Sequence, residues 1–225
     1  MNTAIILAGG TGTRLGADIP KQYIEVKGKP IISYCLHKFE DNLNIDSIII
    51  VAAKDWQSYI KEQITKEKIT KFAGFAEAGT SRQHSIVNGI RAIEASKGKI
   101  IIHDAARPNV SDQTISLCMS GLDEADGVLP VLPVKDTVYY SETGDRISSL
   151  LNRDKLFAGQ APEAFSLEKY RTIHEDLTEA DLALIRGSSE IAYNNGLRVK
   201  LIPGDEHNYK ITTVADLEKF RAENE

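Results

Sequence analysis

The run Thr3-Ala-Ile-Ile-Leu-Ala8 constrains the fold more than any other feature, because it is short, unbroken and apolar and stops abruptly at Gly9-Gly10. Such a segment reads as a strand buried on both faces of a parallel sheet, since a strand with one wet face alternates apolar and polar residues. The same grammar recurs at residues 45–53, 99–103, 127–133 and 197–203. Between these runs lie helical patterns at residues 31–39, 56–67, 81–95 and 111–125. Alternating strand and helix predict an α/β fold with a doubly wound, mostly parallel sheet. Ligands collect beyond the carboxyl ends of such strands, which directs attention to residues 9–21, 103–108 and 135–137.

Composition narrows the partners. With 225 residues and 42% hydrophobic content, the chain is long enough for a full core and fits one α/β domain over residues 1–225. A formal net charge of −5 argues against nucleic-acid binding through a general basic surface, which needs a cationic face to displace phosphate counterions. Cys35 and Cys118 sit far apart inside apolar runs, as inert core thiols of a reducing compartment do. The amino-terminal stretch has neither the basic flank nor the cleavage site of a secretory signal, and residues 4–8 are too few to span a bilayer. A cytoplasmic protein without a membrane partner is therefore expected.

Residues 138–159 break the pattern. A polar turn, Ser141-Glu-Thr-Gly-Asp145, separates strand-like pieces at residues 137–140 and 146–151, predicting a projecting β-arm over 138–159. An arm needs a partner surface to bury its apolar side, so a homodimer is expected.

The loop Leu7-Ala-Gly-Gly-Thr-Gly-Thr-Arg-Leu-Gly16 places Gly9, Gly10 and Gly12, all without Cβ bulk, directly after the first strand. Backbone N–H groups there can approach an anion or a base closely. The spacing is not the dinucleotide fingerprint, because the next glycine comes one place late, and no Gly-Lys-Ser/Thr ending marks a Walker loop. Arg14 closes the loop and Pro20-Lys21-Gln22 adds a second cation. Two cations beside a backbone nest suit a triphosphate whose charge grows at the α-phosphorus during displacement.

This joint run resembles the nucleotide signature of the pyrophosphorylase-type nucleotidyltransferases. Further stretches narrow the resemblance: residues 8–23, Gly79-Thr-Ser-Arg-Gln-His-Ser85, His103-Asp-Ala-Ala-Arg-Pro108, Pro133-Val-Lys-Asp-Thr137, Asn152-Arg153, Gly159-Gln160 and Asn208-Tyr-Lys-Ile-Thr-Thr213. In this order, along nearly the whole chain, they are similar to cytidylyltransferases acting on methylerythritol phosphate or ribitol phosphate. The resemblance implies a fold of the nucleotide-diphospho-sugar transferase type, CTP and a small polyol phosphate as substrates, Mg²⁺ as cofactor, and pyrophosphate as leaving group. It implies Arg14, Lys21 and Lys210 as catalytic cations. Nucleotide contacts would come from Ala8, Gly9, Gly10, Gly12, Gly79, Arg82, Ser85 and Asp104, with Gly79 and Ser85 reading the base while Ala8 and Gly9 close its other side. Asp104 would also hold the metal. Arg107 would either meet a phosphate of the acceptor or fix Asp104. Asp136, Thr137 and Arg153 would touch the acceptor, Arg153 from across the dimer. Ser81 and Thr213 read as helix N-caps, and His84 and His103 as structural side chains.

Two departures from the family pattern fall on the acceptor side. Gln160-Ala161-Pro162-Glu163 stands where these families usually carry Gln-Thr-Pro-Gln, and Arg186-Gly187, followed by Ser188-Ser189, stands where they carry a Thr/Ser-Asp pair. Two other expectations compete. One is a sugar 1-phosphate nucleotidyltransferase using UTP, GTP or dTTP, against which the Ser81 to Ser85 stretch speaks. The other is a catalytically weakened homologue that binds nucleotide as a regulatory module, suggested by Ala161 and Gly187.

Overall fold

The computed structural model describes residues 1–10, 19–175 and 177–224. The first half of the chain forms β1 (Asn2–Leu7), a small ribbon of β2 (Glu25–Val26) and β3 (Lys29–Pro30), α1 (Ile31–Asp41), β4 (Ser47–Ala52), α2 (Lys54–Lys66), β5 (Phe72–Glu77), α3 (Arg82–Arg91) and β6 (Lys99–Asp104). The second half forms α4 (Asp112–Gly121), β7 (Gly127–Pro133), β8 (Val138–Tyr140), β9 (Ser149–Leu151), β10 (Phe157–Gly159), β11 (Glu163–Ser166), α5 (Leu167–Glu175), α6 (Glu179–Leu184), α7 (Ser188–Asn194), β12 (Val199–Pro203) and α8 (Val214–Glu223).

Among the described residues, eight strands make the main sheet. β5, β4, β1 and β6 lie side by side and parallel. β11 enters antiparallel between β6 and β7, and β12 runs parallel along the far edge of β7. β10 pairs antiparallel with residues 131–133 of β7, beyond the stretch that β11 covers. The sheet is thus mostly parallel, as the alternation of elements predicts.

Two-sided burial explains why the strand sequences lack polar alternation. Ala4 and Ile6 of β1 join Ile48 and Ile50 of β4 and Ile101 of β6 in a core covered by α1, α2 and α4. Ile5, Ile49, Val51, Ile100 and Ile102 point the opposite way, into a core built with Ile86 and Ile90 of α3, Tyr170 of α5 and Ile191 of α7. Each fully buried aliphatic side chain contributes about 1.5–3 kcal/mol, so these strands are the rigid base on which their carboxyl-end loops stand. A third cluster of Val26, Ile31, Ile211, Leu217 and Phe220 ties the β2–β3 ribbon to α8. It holds the chain that carries Lys21 near the chain that carries Lys210.

Several elements exceed the sequence reading. β5 is an edge strand of mixed burial, and β11 has four residues and begins with Glu163; neither makes a long apolar run. α5, α6 and α7 fill the stretch between β11 and β12. The hairpin is present, with Tyr139 opposite Leu150, but the arm expected over 138–159 is too long at its carboxyl end. Residues 157–159 are β10 and rejoin the main sheet. Among the described residues no helix is long and apolar enough to cross a membrane.

Candidate active site

Beyond the carboxyl ends of β1 and β6, facing the amino end of α3, lies a cavity of about 430 Å³. That is a usual size for a small-molecule site. Gly9 and Gly10 follow β1, Asp104 ends β6, residues 79–82 lead into α3, and Lys210 and Thr212 arrive just before α8. Lys21 and Gln22 join from a single 3-10 turn after Pro20, which supplies the fixed φ suited to a turn start.

One wall is built by close backbone approach. A Cβ on Gly9 would lie 2.4 Å from the Cβ of Ala78, and one on Gly79 would lie 2.5 Å from the His84 ring. Only glycine lets these two loops pack against each other and against α3. Gln22 then pins the first loop, its Nε2 donating to the carbonyls of Ala8 at 2.6 Å and Gly10 at 2.8 Å. The backbone N–H of Gly79 donates to Ser85 Oγ at 3.0 Å, which leaves the hydroxyl proton of Ser85 to donate elsewhere. Ser81 caps α3 by accepting from the His84 N–H at 3.1 Å, and Thr213 caps α8 in the same way.

The opposite wall is a knot of charge. Asp104, almost fully buried, faces Lys210 Nζ at 2.9 Å, Arg82 Nε at 3.4 Å and Arg107 Nε at 3.6 Å. Burial alone would raise its carboxyl, but Arg82, Lys210 and Arg107 together hold it well below the usual carboxylate range. Arg82 reaches further, to Glu163 Oε1 at 3.3 Å and Ser188 Oγ at 2.8 Å. Glu163 Oε2 in turn accepts from the Ser189 N–H at 2.8 Å and the Ser189 hydroxyl at 2.7 Å. Lys21 is buried at the cavity wall. Burial pushes the His103 imidazole down to about 4, so it is neutral near pH 7 and donates through Nε2 to the Arg107 carbonyl at 2.9 Å.

Of the residues singled out in the sequence, Gly9, Gly10, Lys21, Gly79, Arg82, Ser85, Asp104 and Lys210 all line this cavity. Arg14 and Gly12 lie outside the described residues. Ala8 stands behind the wall with both backbone groups engaged: its N–H donates to Val51, and its carbonyl accepts from Gln22 and Tyr23. Arg107 does not line the cavity; it fixes Asp104 and donates to the Asn208 carbonyl at 2.7 Å, bracing the loop that leads to Lys210. Asp136, Thr137 and Arg153 sit exposed at the base of the hairpin, away from this cavity, with Arg153 donating to the Lys135 carbonyl. Gln22, Thr212, Glu163 and Ser188 have no role that the sequence alone assigns. The first two adjoin Lys21 and Lys210 in motifs already noted, and Glu163 and Ser188 fall in the two stretches that depart from the family pattern.

A strand-end cavity with a glycine wall and a cationic wall agrees with what comparison with known proteins finds. Residues 2–223 match the family model described as IspD, 2-C-methyl-D-erythritol 4-phosphate cytidylyltransferase. The chain belongs to the IspD family. Its IspD relatives include the 2-C-methyl-D-erythritol 4-phosphate cytidylyltransferase of Lachnospira eligens, 34% identical over 97% of this chain and 96% of that protein. The ribitol-5-phosphate cytidylyltransferase of Vibrio parahaemolyticus is 31% identical over 99% of this chain and 95% of that protein. The crystal structure of 4-diphosphocytidyl-2C-methyl-D-erythritol synthase from Anaerococcus prevotii superposes with a TM-score of 0.85 at 24% identity, covering 100% of this chain and 98% of that one. It shares the IspD fold.

Proposed function

We propose that the protein transfers the cytidylyl group of CTP to the phosphate of a sugar-alcohol phosphate, forming a CDP-polyol and releasing pyrophosphate. The carrying observation is the convergence of Lys21, Arg82 and Lys210 on one cavity whose other wall is Gly9, Gly79 and Ser85. An acceptor phosphate oxygen attacks the α-phosphorus; a P–O bond forms there as the bond to the β-phosphate oxygen breaks. A phosphate monoester dianion is already nucleophilic at neutral pH, so the protein's task is to align two polyanions and stabilise the added transition-state charge. Lys21 and Lys210, with Arg14, suit that task. Ser85, with its proton uncommitted, suits a pyrimidine acceptor atom such as N3 or O2, and a site that hydrogen-bonds one base discriminates strongly against one that leaves it unpaired.

Mg²⁺ fits this donor set. Asp104 is the one carboxylate among the described residues lining the cavity, and the described residues contain no cluster of three or more ligating side chains. Mg²⁺ binds through one or two carboxylates plus substrate phosphates and keeps its waters, rather than needing a protein cage. Asp104 would hold it, and when bound it would neutralise phosphate charge.

Exposed Tyr139, Tyr140, Ile147 and Leu150 on the β8–β9 hairpin support a homodimer in which these side chains are covered, because an isolated hairpin has little stability of its own. The deciding assay crosses CTP, UTP, GTP and dTTP with methylerythritol 4-phosphate, ribitol 5-phosphate and other polyol phosphates, and reads pyrophosphate release. Release with CTP and at least one polyol phosphate is expected. Turnover confined to another nucleotide, or CTP binding without turnover of any acceptor, would overturn the proposal.

A further inference from the structure

The two departures from the family pattern, Glu163 and the Gly187-Ser188-Ser189 stretch, lie apart in sequence and meet at Arg82. Glu163 Oε1 accepts from Arg82 Nη2 at 3.3 Å while Oε2 accepts from both the N–H and the hydroxyl of Ser189. Every partner of Glu163 is thus a donor. A glutamine here would turn its NH₂ against a donor on one side or the other, so this set of neighbours calls for a carboxylate. Ser188 Oγ takes Arg82 Nη1 at 2.8 Å, and Asp104 takes Nε at 3.4 Å. Among the described residues, three of the five guanidinium N–H groups are spent on holding the fork, leaving two on a side chain about a third exposed and lining the cavity (32%).

Sheet order separates two sides of the cavity. The close-packed glycine wall, Gly9 against Ala78 and Gly79 against α3, lies toward β4 and β5. Arg82 leans the other way, onto the end of β6, the start of β11 and the start of α7. A base seated on the glycine wall, with its phosphates at Lys21, Lys210 and Asp104, leaves the side past Asp104, toward β11 and α7, for the second substrate. That moves Arg82 from the nucleotide contact expected of it to the acceptor.

We infer that Glu163 is a positioning residue which, with Ser188 and Ser189, fixes the Arg82 guanidinium against the acceptor polyol phosphate and so sets acceptor affinity. This rests on the cytidylyl-transfer reading above. Glu163 touches no substrate; it acts through Arg82.

The test is steady-state kinetics with CTP and the best polyol phosphate for the unaltered protein, Glu163→Gln, Ser189→Ala, Arg82→Ala and the Arg82→Ala/Glu163→Gln pair. Glu163→Gln keeps the side-chain shape, and Ser189→Ala removes one of the two Ser189 contacts, so a folded protein remains to be measured. Glu163→Gln is expected to raise the acceptor KM about tenfold while the CTP KM stays within about twofold, the split that marks loss of binding to one substrate. The double variant is expected to be no worse than Arg82→Ala alone, since residues acting as a unit are not additive. An unchanged acceptor KM, equal rises in both KM values, or additive losses in the double variant would overturn the assignment while leaving cytidylyl transfer intact. Absence of turnover by the unaltered protein with every polyol phosphate would overturn both.

Discussion

Replacing Asp104 by asparagine removes one negative charge and leaves the side-chain shape almost unchanged. The carboxylate faces three cations, at 2.9, 3.4 and 3.6 Å. Coulomb's law with an effective dielectric constant of about 20 gives about 6 kcal/mol for the Lys210 contact and about 5 kcal/mol for each arginine, before desolvation is set against them. Removing one partner from a buried cluster costs about 3–5 kcal/mol net. Lys210 and Arg82 are each about a third exposed, at 33% and 32%, and solvent screening places this case at the lower end, about 3 kcal/mol. For a chain of this length that lowers Tm by about 6–12 °C, measured by circular dichroism at pH 7 in EDTA without nucleotide. The pH dependence has a fixed sign. Because the folded carboxyl is held below its unfolded value of about 3.9, its contribution is fully present above that value and is lost as pH falls through the lower folded value. The gap between the unaltered protein and Asp104→Asn therefore stays constant from pH 7 to about 5 and closes only in stronger acid. A Tm within 2 °C of the unaltered protein, a shift below about 1 kcal/mol, or a gap that closes above pH 5, would refute the assignment of Asp104 as the anchor of this cluster.

Lys21→Ala should lower kcat by about two to three decades, the scale of losing one preorganised charge donor; pyrophosphate release at an unchanged rate would remove Lys21 from the chemistry. His103, followed by NMR, should stay neutral until pH approaches 4, and because its unfolded value is about 6.5 the fold should lose stability as pH falls between those two values. A His103 midpoint above 6 would contradict its burial. Leu150→Asp on the hairpin should convert a dimer to a monomer by sedimentation velocity, because an interfacial charge is costly to bury unpaired; an unchanged sedimentation coefficient would place any dimer contact elsewhere.

Much of this architecture could be read along the chain. Thr3 to Ile6 and Ala8 are buried, on both faces of the strand, as the unbroken apolar run requires, and the glycines after it mark a close approach that the Gly9–Ala78 contact makes physical. Lys21, Asp104, Ser85 and Lys210 were nameable because each sits in a compact motif at a strand end or helix start. The β11 strand and the α5–α7 stretch were not, since four residues beginning with a glutamate, followed by short polar helices, carry little periodic signal. Arg107 is the instructive case: its sequence neighbours allow either a phosphate contact or a brace, and its position beside Asp104 and the Asn208 carbonyl makes it the brace.

The apolar strand pattern and the helix caps depend on residues within a few positions of one another, so the amino-acid order determined them by itself. Which charges meet is another matter. Arg82 finds Glu163 and Ser188 at separations of 81 and 106 residues, and Lys210 finds Asp104 across a similar stretch. Charge partnership acts through space rather than along the backbone, so only the packing of β6, β11, α3 and α7 around one cavity decided it.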